Sequence, residues 1–337
     1  MRRAYQDARQ RAVFINRSAR GRIVVSGKDR GSYLQGLFTN DIAGLKTGEG
    51  CYSAYLTPQG RMISDMWVYE LGDAILIDLP STETKNAVLA KLDQFIFSED
   101  VQLGDVTDAF AQIAIVGPES ARVIGALLGE SSDRFVSLPE HGAVRGSVAG
   151  GTAIVTRITD AGEPGFDLYV EQARASSVRD LLASQRIDEA DNDTTEVLRV
   201  EAGIPLFHQD MDEETIPLEA GIEPRAINMN KGCYVGQEVI VRVLHRGHGR
   251  VAKKLVGLLL DGTAAPSKGS PVASGEQQIG HVTSAVQSPA LDRPIALAYV
   301  QRDFVEPGTA VAVNGVKAVV TALPFAATDS SRPVRSS

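Results

Sequence analysis

Residues 24–38, VVSGKDRGSYLQGLF, and residues 114–128, AIVGPESARVIGALL, lie over one another when Gly117 is set on Gly27, 90 positions apart. Each reads as the end of a strand, a glycine, an acidic residue two positions on, and then a helix with leucines in its last turns. The surroundings repeat the plan. Upstream, Arg22–Ser26 is a strand and Lys28–Leu37 an amphipathic helix. Met62–Leu71 and Ala74–Leu79 form a hairpin through the turn Gly72-Asp73. Ser81–Phe97 then places Val88, Leu89, Leu92, Phe95 and Ile96 at helical spacing. In the second copy Ala153–Ile158 and Phe166–Val170 are strands and Ser176–Ser184 a helix. The period is too long for a solenoid. It predicts an α+β fold of two related units, about 13–105 and 106–190, each a small antiparallel sheet with helices on one face.

From about Gly249 the texture changes. Short β-rich runs (Lys254–Leu260, Gln278–Ala285, Ile295–Val300, Ala310–Val313, Lys317–Ala322) alternate with Gly, Pro and Ser turns. Asn314-Gly315 between VAV and VKAVV is a two-residue hairpin signal. The expected organisation is a domain over 1–246, a C-terminal all-β barrel over 247–326 and a flexible tail over 327–337.

A chain of 337 residues, 43% hydrophobic, buries a sizeable core. Its longest apolar runs are too short to span a bilayer, and the basic segment MRRAYQDARQRAVF lacks the apolar stretch of a secretory signal. Cys51 and Cys233, with no CxxC pair, argue against a disulfide framework and against a resident metal. A cytoplasmic address is expected. The formal net charge of −8 repels phosphate backbones, so no direct nucleic-acid binding is expected. The local exception is Arg242–Lys254, read as a solvated basic edge or as a docking patch for an acidic partner.

Four segments are equipped for chemistry. In GRMISDMWVY (60–69), strict alternation puts Arg61, Ile63, Asp65, Trp67 and Tyr69 on one face. A carboxylate among aromatic rings needs a partner or a solvent-filled pocket, and Trp67 and Tyr69 are flat enough to flank a planar heterocycle. The alternative is that this face is simply the wet side of a sheet. Glu163 sits in the Gly/Pro-bracketed turn GEPGF, either solvated or presented to a ligand. Arg199, on a helix closed by Gly203 and Pro205, is a surface residue or a bidentate carboxylate clamp. In KGCYVGQE (231–238), Lys231 stands two residues before Cys233 and favours its thiolate if the two approach. No histidine is adjacent, and a buried inert cysteine is the plain alternative. Cys51 takes that plain reading.

KGCYVGQE resembles the signature of YgfZ-type proteins. VSGKDRGSYLQGLFTNDI, LTPQGRMISDMWVY, GEPGFDLYV, LRVEAGIPLFHQDM and the final LPF resemble the wider superfamily that contains the glycine-cleavage T-protein, across about Val13 to Phe325. The resemblance implies two ferredoxin-like units around a folate pocket, capped by the barrel, with tetrahydrofolate as cofactor. It implies a catalytic role for Asp65, with Tyr69 further along the strand, a pterin-binding role for Glu163 and a place near the folate for Arg199. T-proteins show paired aspartates where this chain has Ser64-Asp65. The YgfZ branch implies an accessory protein for assembly or repair of iron–sulphur enzymes, with iron–sulphur clients, tRNA-thiolating enzymes among them, as partners. Cys233 is then a reactive, catalytic thiol facing the folate cavity, and Asp65, Trp67, Tyr69, Glu163, Arg199 and Lys231 are cofactor-binding. The alternatives are a folate-dependent aminomethyltransferase or demethylase, and a non-catalytic scaffold that docks clients.

Overall fold

The computed structural model describes residues 2–245 and 249–325. Its first elements are helix α1 (Arg2–Gln10) and strand β1 (Val13–Asn16). The first unit then runs β2 (Gly21–Ser26), α2 (Arg30–Gln35), β3 (Gly50–Leu56), β4 (Met62–Glu70), β5 (Ile75–Leu79), α3 (Thr82–Asp93) and β6 (Gln102–Asp105). Its antiparallel sheet has the order β3-β4-β5-β2-β6. The second unit comprises β7 (Phe110–Val116), α4 (Ser120–Leu128), α5 (Ser132–Val136), β8 (Ala143–Val148), β9 (Gly151–Ile158), β10 (Gly165–Glu171) and α6 (Ala175–Ser184). Its order is β8-β9-β10-β7-β1.

The two orders are the same, and the duplication is visible atom by atom. Gly27 and Gly117 both have positive φ, 100° and 129°. A Cβ on Gly27 would strike the Asp100 carbonyl, and one on Gly117 the Arg11 carbonyl. Two residues on, the Asp29 N–H donates to Asp100 O (3.2 Å) and the Glu119 N–H to Arg11 O (2.8 Å). One element breaks the symmetry. The edge strand next to β2 is β6, which follows it in sequence, whereas the edge strand next to β7 is β1, which precedes it. Residues 13–16, expected to open the first unit, therefore belong to the second sheet. Phe14 packs into the second unit's core, while Val13 and Ile15 face α1 and the barrel.

After α6 the chain forms α7 (Asn192–Glu201), the single turns α8 (Pro217–Ala220) and α9 (Glu223–Ala226), and α10 (Gln237–His245). The barrel closes from β11 (Lys253–Leu260), β12 (Pro271–Ser274), β13 (Gln277–Ser288), β14 (Arg293–Gln301), β15 (Ala310–Val313) and β16 (Val316–Thr321), in the order β11-β14-β13-β12-β15-β16. Asn314 and Gly315 take φ values of 49° and 80°, as their hairpin turn requires. The tail beyond 325 and three residues of the basic 242–254 stretch lie outside the described residues.

Two local expectations change. The helix expected to reach Phe97 ends at Asp93, and the following bonds tighten to Phe95 N–H→Leu92 O and Ile96 N–H→Asp93 O, leaving Phe95 and Phe97 exposed. The register of β3 on β4 shifts between Tyr55 and Leu56, opposite Ser64 and Met62. That bulge sends Ile63 to the helix-covered face with Met66 and Val68, and brings Met62 to the face of Tyr52. Strict alternation thus fails at Ile63, but Asp65, Trp67 and Tyr69 stay on one face.

Candidate functional site

The face of β4 that carries Asp65 and Trp67 opens onto a cavity of about 350 Å³, closed by the ends of both sheets and by α7. Its charged walls are Arg17, Arg20, Asp65, Asp160, Glu196 and Arg199. Asp65 is 4% exposed. The Tyr52 hydroxyl donates to its Oδ2 at 2.7 Å, and its Oδ1 has no hydrogen-bond partner. Burial raises the Asp65 pKa, opposed by the Tyr52 hydrogen bond and by Arg20. Tyr52 packs against Trp67 with ring centroids 5.3 Å apart. The outer faces of this pair carry guanidinium groups, Arg225 over Tyr52 at 4.9 Å and Arg20 over Trp67 at 4.6 Å.

Behind the cavity a buried charge network joins the sheets. Arg17 grips Asp160 with two hydrogen bonds (2.8 and 2.9 Å) and reaches Asp167 at 3.2 Å. Asp78 accepts from Arg20 Nε (2.7 Å), Gln112 (2.8 Å) and the Tyr169 hydroxyl (2.9 Å). Burial pushes Asp167 up to about 6, while Arg17 holds Asp160 below the usual carboxylate range.

The other anticipated residues separate. Tyr69 is fully buried and packs with Leu76, Ala143 and Tyr169 between the sheets, so it stiffens the wall from behind. Glu163 lines a second, larger cavity of about 770 Å³ that shares Ile204 and Pro205 with the first. There Arg9, from α1, bonds Glu163 at 2.5 Å and also grips Glu201, which the Tyr5 hydroxyl reaches at 2.7 Å. Arg199 does line the first cavity. Its guanidinium, however, makes five hydrogen bonds, to Glu196 twice, Asp210, the Ile204 carbonyl and Ser284, and so ties α7 to the barrel.

Lys231 and Cys233 lie apart from both cavities. The Lys231 ammonium donates to the carbonyls of Gln35, Phe38 and Asn40 at 2.6–2.7 Å, closing the C-terminal end of α2. Burial lowers its pKa to about 8, and the thiol it interacts with is the buried Cys51, itself pushed up to about 12 by burial. Cys233 is exposed on the turn before α10. The expected Lys231–Cys233 pairing is therefore replaced by a lysine cap, and the thiol does not face the Asp65 cavity. Arg9, Arg20 and Tyr52 went unremarked in the sequence. The RSARGR run at 17–22 was the available signal for Arg20.

A duplicated sheet domain capped by a closed barrel, with a carboxylate-bearing cavity between the sheets and the helix α7 that is tied to the barrel, defines the class. The GCVT N-terminal domain family matches residues 1–231, and the glycine cleavage T-protein C-terminal barrel domain matches residues 253–326. The chain belongs to the glycine-cleavage T-protein superfamily. It is 34% identical over 327 residues to an aminomethyltransferase of Rubrobacter xylanophilus, covering 95% of this chain and 85% of that protein. It is 31% identical over 327 residues to an aminomethyltransferase of Streptomyces avermitilis, covering 94% and 87%. The glycine cleavage system aminomethyltransferase T from Bartonella henselae shares the fold, with a TM-score of 0.87 at 23% identity over 97% of this chain and 89% of that one. Among the described residues no helix is long and apolar enough to cross a membrane.

Proposed function

We propose that this chain is a tetrahydrofolate-dependent one-carbon transferase of the aminomethyltransferase kind, working in the cytoplasm. The observation that carries the reading is Asp65, buried at the edge of a cavity with one carboxylate oxygen fixed by Tyr52 and the other without a partner. An uncompensated buried oxygen costs about 1–3 kcal/mol, a cost that a ligand donating to it relieves. Tetrahydrofolate is the cofactor of the family and, when bound, accepts a one-carbon unit.

The cavity's volume and mixed lining suit part of such a molecule. Trp67, packed between Tyr52 and the Arg20 guanidinium, supplies apolar lining, and Glu163 meets the cofactor from the adjoining cavity. Tyr69 holds the strand from behind, and Arg199 shapes the wall. Asp65 is the group that accepts a proton or faces a developing positive charge. Burial raises its affinity for a proton, opposed by the Tyr52 hydrogen bond and by Arg20. Tyr52, held on Trp67, fixes its orientation.

Calorimetry with tetrahydrofolate, followed by a one-carbon transfer assay with an aminomethyl-loaded lipoyl carrier protein, tests this. Binding and turnover support it. Binding that is unchanged in Asp65→Ala, together with no turnover from any amine donor, would remove it.

A second reading is favoured by Cys233, whose thiol is exposed within KGCYVGQE. It makes the chain a tetrahydrofolate-binding accessory to iron–sulphur enzymes, with Cys233 meeting a client protein at the surface and Lys231 holding the turn. Recovery of iron–sulphur enzymes by the wild-type chain but not by Cys233→Ser supports this; equal recovery counts against it.

A further inference from the structure

Three arginines line the Asp65 cavity, and their hydrogen-bonding accounts differ. Arg17 is spent on Asp160 and Asp167. Arg199 is saturated by its five bonds. Arg20 spends its Nε on Asp78 at 2.7 Å and lays its guanidinium on Trp67, while its Nη2 is buried with no hydrogen-bond partner. A guanidinium nitrogen is always a donor, so this is a charged donor held in place with nothing to receive it.

The same cavity contains the complementary defect. Asp65 Oδ1 is a buried acceptor with nothing to donate to it. Asp65 and Trp67 are two residues apart on the same face of β4, about 7 Å along the strand. Arg20 sits on the Trp67 ring, so the orphan donor and the orphan acceptor flank one aromatic wall. Neither group satisfies the other, and each is locked from behind, Asp65 by Tyr52 and Arg20 by Asp78. A donor and an acceptor, both buried without partners beside one aromatic side chain of the cavity, match a planar heterocycle that presents a carbonyl next to an N–H.

We infer that Arg20, and not Arg199, is the arginine that binds the ligand, donating from Nη2 to a ring carbonyl while Asp65 accepts from a neighbouring ring N–H. In a reduced pterin these are the 4-oxo group and an adjacent nitrogen. The inference rests on the tetrahydrofolate reading and deepens it. It places recognition on the pterin ring rather than on the glutamyl carboxylates.

Trp67 is the chain's single tryptophan, so its fluorescence reports this wall alone. The experiment measures quenching of Trp67 and calorimetric affinity with two probes, tetrahydrofolate and 6-methyltetrahydropterin, which lacks the benzoylglutamate. Wild type, Arg20→Lys, Arg20→Gln and Arg199→Lys are compared. Arg20→Lys keeps the charge opposite Asp78 but loses the second nitrogen, which separates ligand binding from folding; melting temperatures check that separation. Loss of one charged hydrogen bond lowers affinity about tenfold or more, and equally for both probes. Arg199→Lys lowers the melting temperature and weakens both probes less than Arg20→Lys does.

If both Arg20 variants bind tetrahydrofolate as wild type does, the inference is overturned while the folate reading stands. If they weaken tetrahydrofolate but not 6-methyltetrahydropterin, Arg20 meets the tail and the ring assignment is overturned. If wild type binds neither probe, the folate reading and this inference fall together.

Discussion

The Asp65 cavity and the Lys231–Cys233 turn both drew attention as sequence, yet they differ in one physical respect. At the turn the charged group is fully served. Lys231 gives its ammonium hydrogens to three carbonyls, and the thiol beyond it faces solvent. In the cavity two charged groups of opposite kind are each one hydrogen bond short. Satisfied polarity holds a fold together, whereas unsatisfied polarity on residues that line a cavity leaves bonds for a ligand to make. A motif conspicuous in sequence thus turns out to be mainly a structural clasp with an exposed thiol, and an inconspicuous arginine carries the stronger mark of binding.

The sharpest test of the contrast is Asp65→Asn. Near-isosteric, it keeps the Tyr52 contact but cannot take up a proton, and under the proposed reading it lowers the turnover number about 100-fold or more with the fold intact. Turnover within a few-fold of wild type would break the comparison on the cavity side. On the other side, Lys231→Met strips three carbonyls of their donor and should cost about 3 kcal/mol in urea unfolding, with folate affinity unchanged. A smaller but distinctive effect concerns pH. Asp167, raised to about 6, holds a proton in the folded chain between roughly pH 4 and 6 that the unfolded chain releases. Its contribution to stability is therefore present at low pH and lost as pH rises through 6. Asp167→Asn should remove that part of the slope in unfolding measurements from pH 4 to 7; an unchanged slope would contradict the assignment. The smallest effect is Cys233→Ser, expected to move stability by no more than about 0.5 kcal/mol and tetrahydrofolate affinity not measurably, as befits an exposed side chain. A large loss of binding there would return the thiol to the pocket.

What the sequence disclosed follows the range of the forces involved. The duplication was legible because Gly27 and Gly117 answer a local demand, positive φ against a neighbouring backbone. Asn314-Gly315 did the same for the barrel hairpin. The exchange of edge strands was not legible, since four residues, VFIN, say nothing about which sheet they join. The bulge at Ile63 was hidden because period-two reasoning assumes an unbroken ladder. Arg9 escaped because its partners Glu163 and Glu201 lie 154 and 192 residues away. Arg199 looked like a ligand clamp because spacing shows that a helical arginine exists; it does not show that Asp210 and Ser284 have already claimed it.

The borrowed edge strand has a consequence for the order in which the molecule comes into being. On the ribosome the first sheet has all its strands once residue 105 is out, and it can close at once. The second cannot. Its outer strand was synthesised first and must stay unpaired until β7, nearly a hundred residues later, arrives to receive it. The helix preceding that strand carries Arg9, which grips the cavity glutamates. Arg9 on that helix therefore waits for Glu163 and Glu201, and the larger cavity is finished only once the barrel residues that line it have been made.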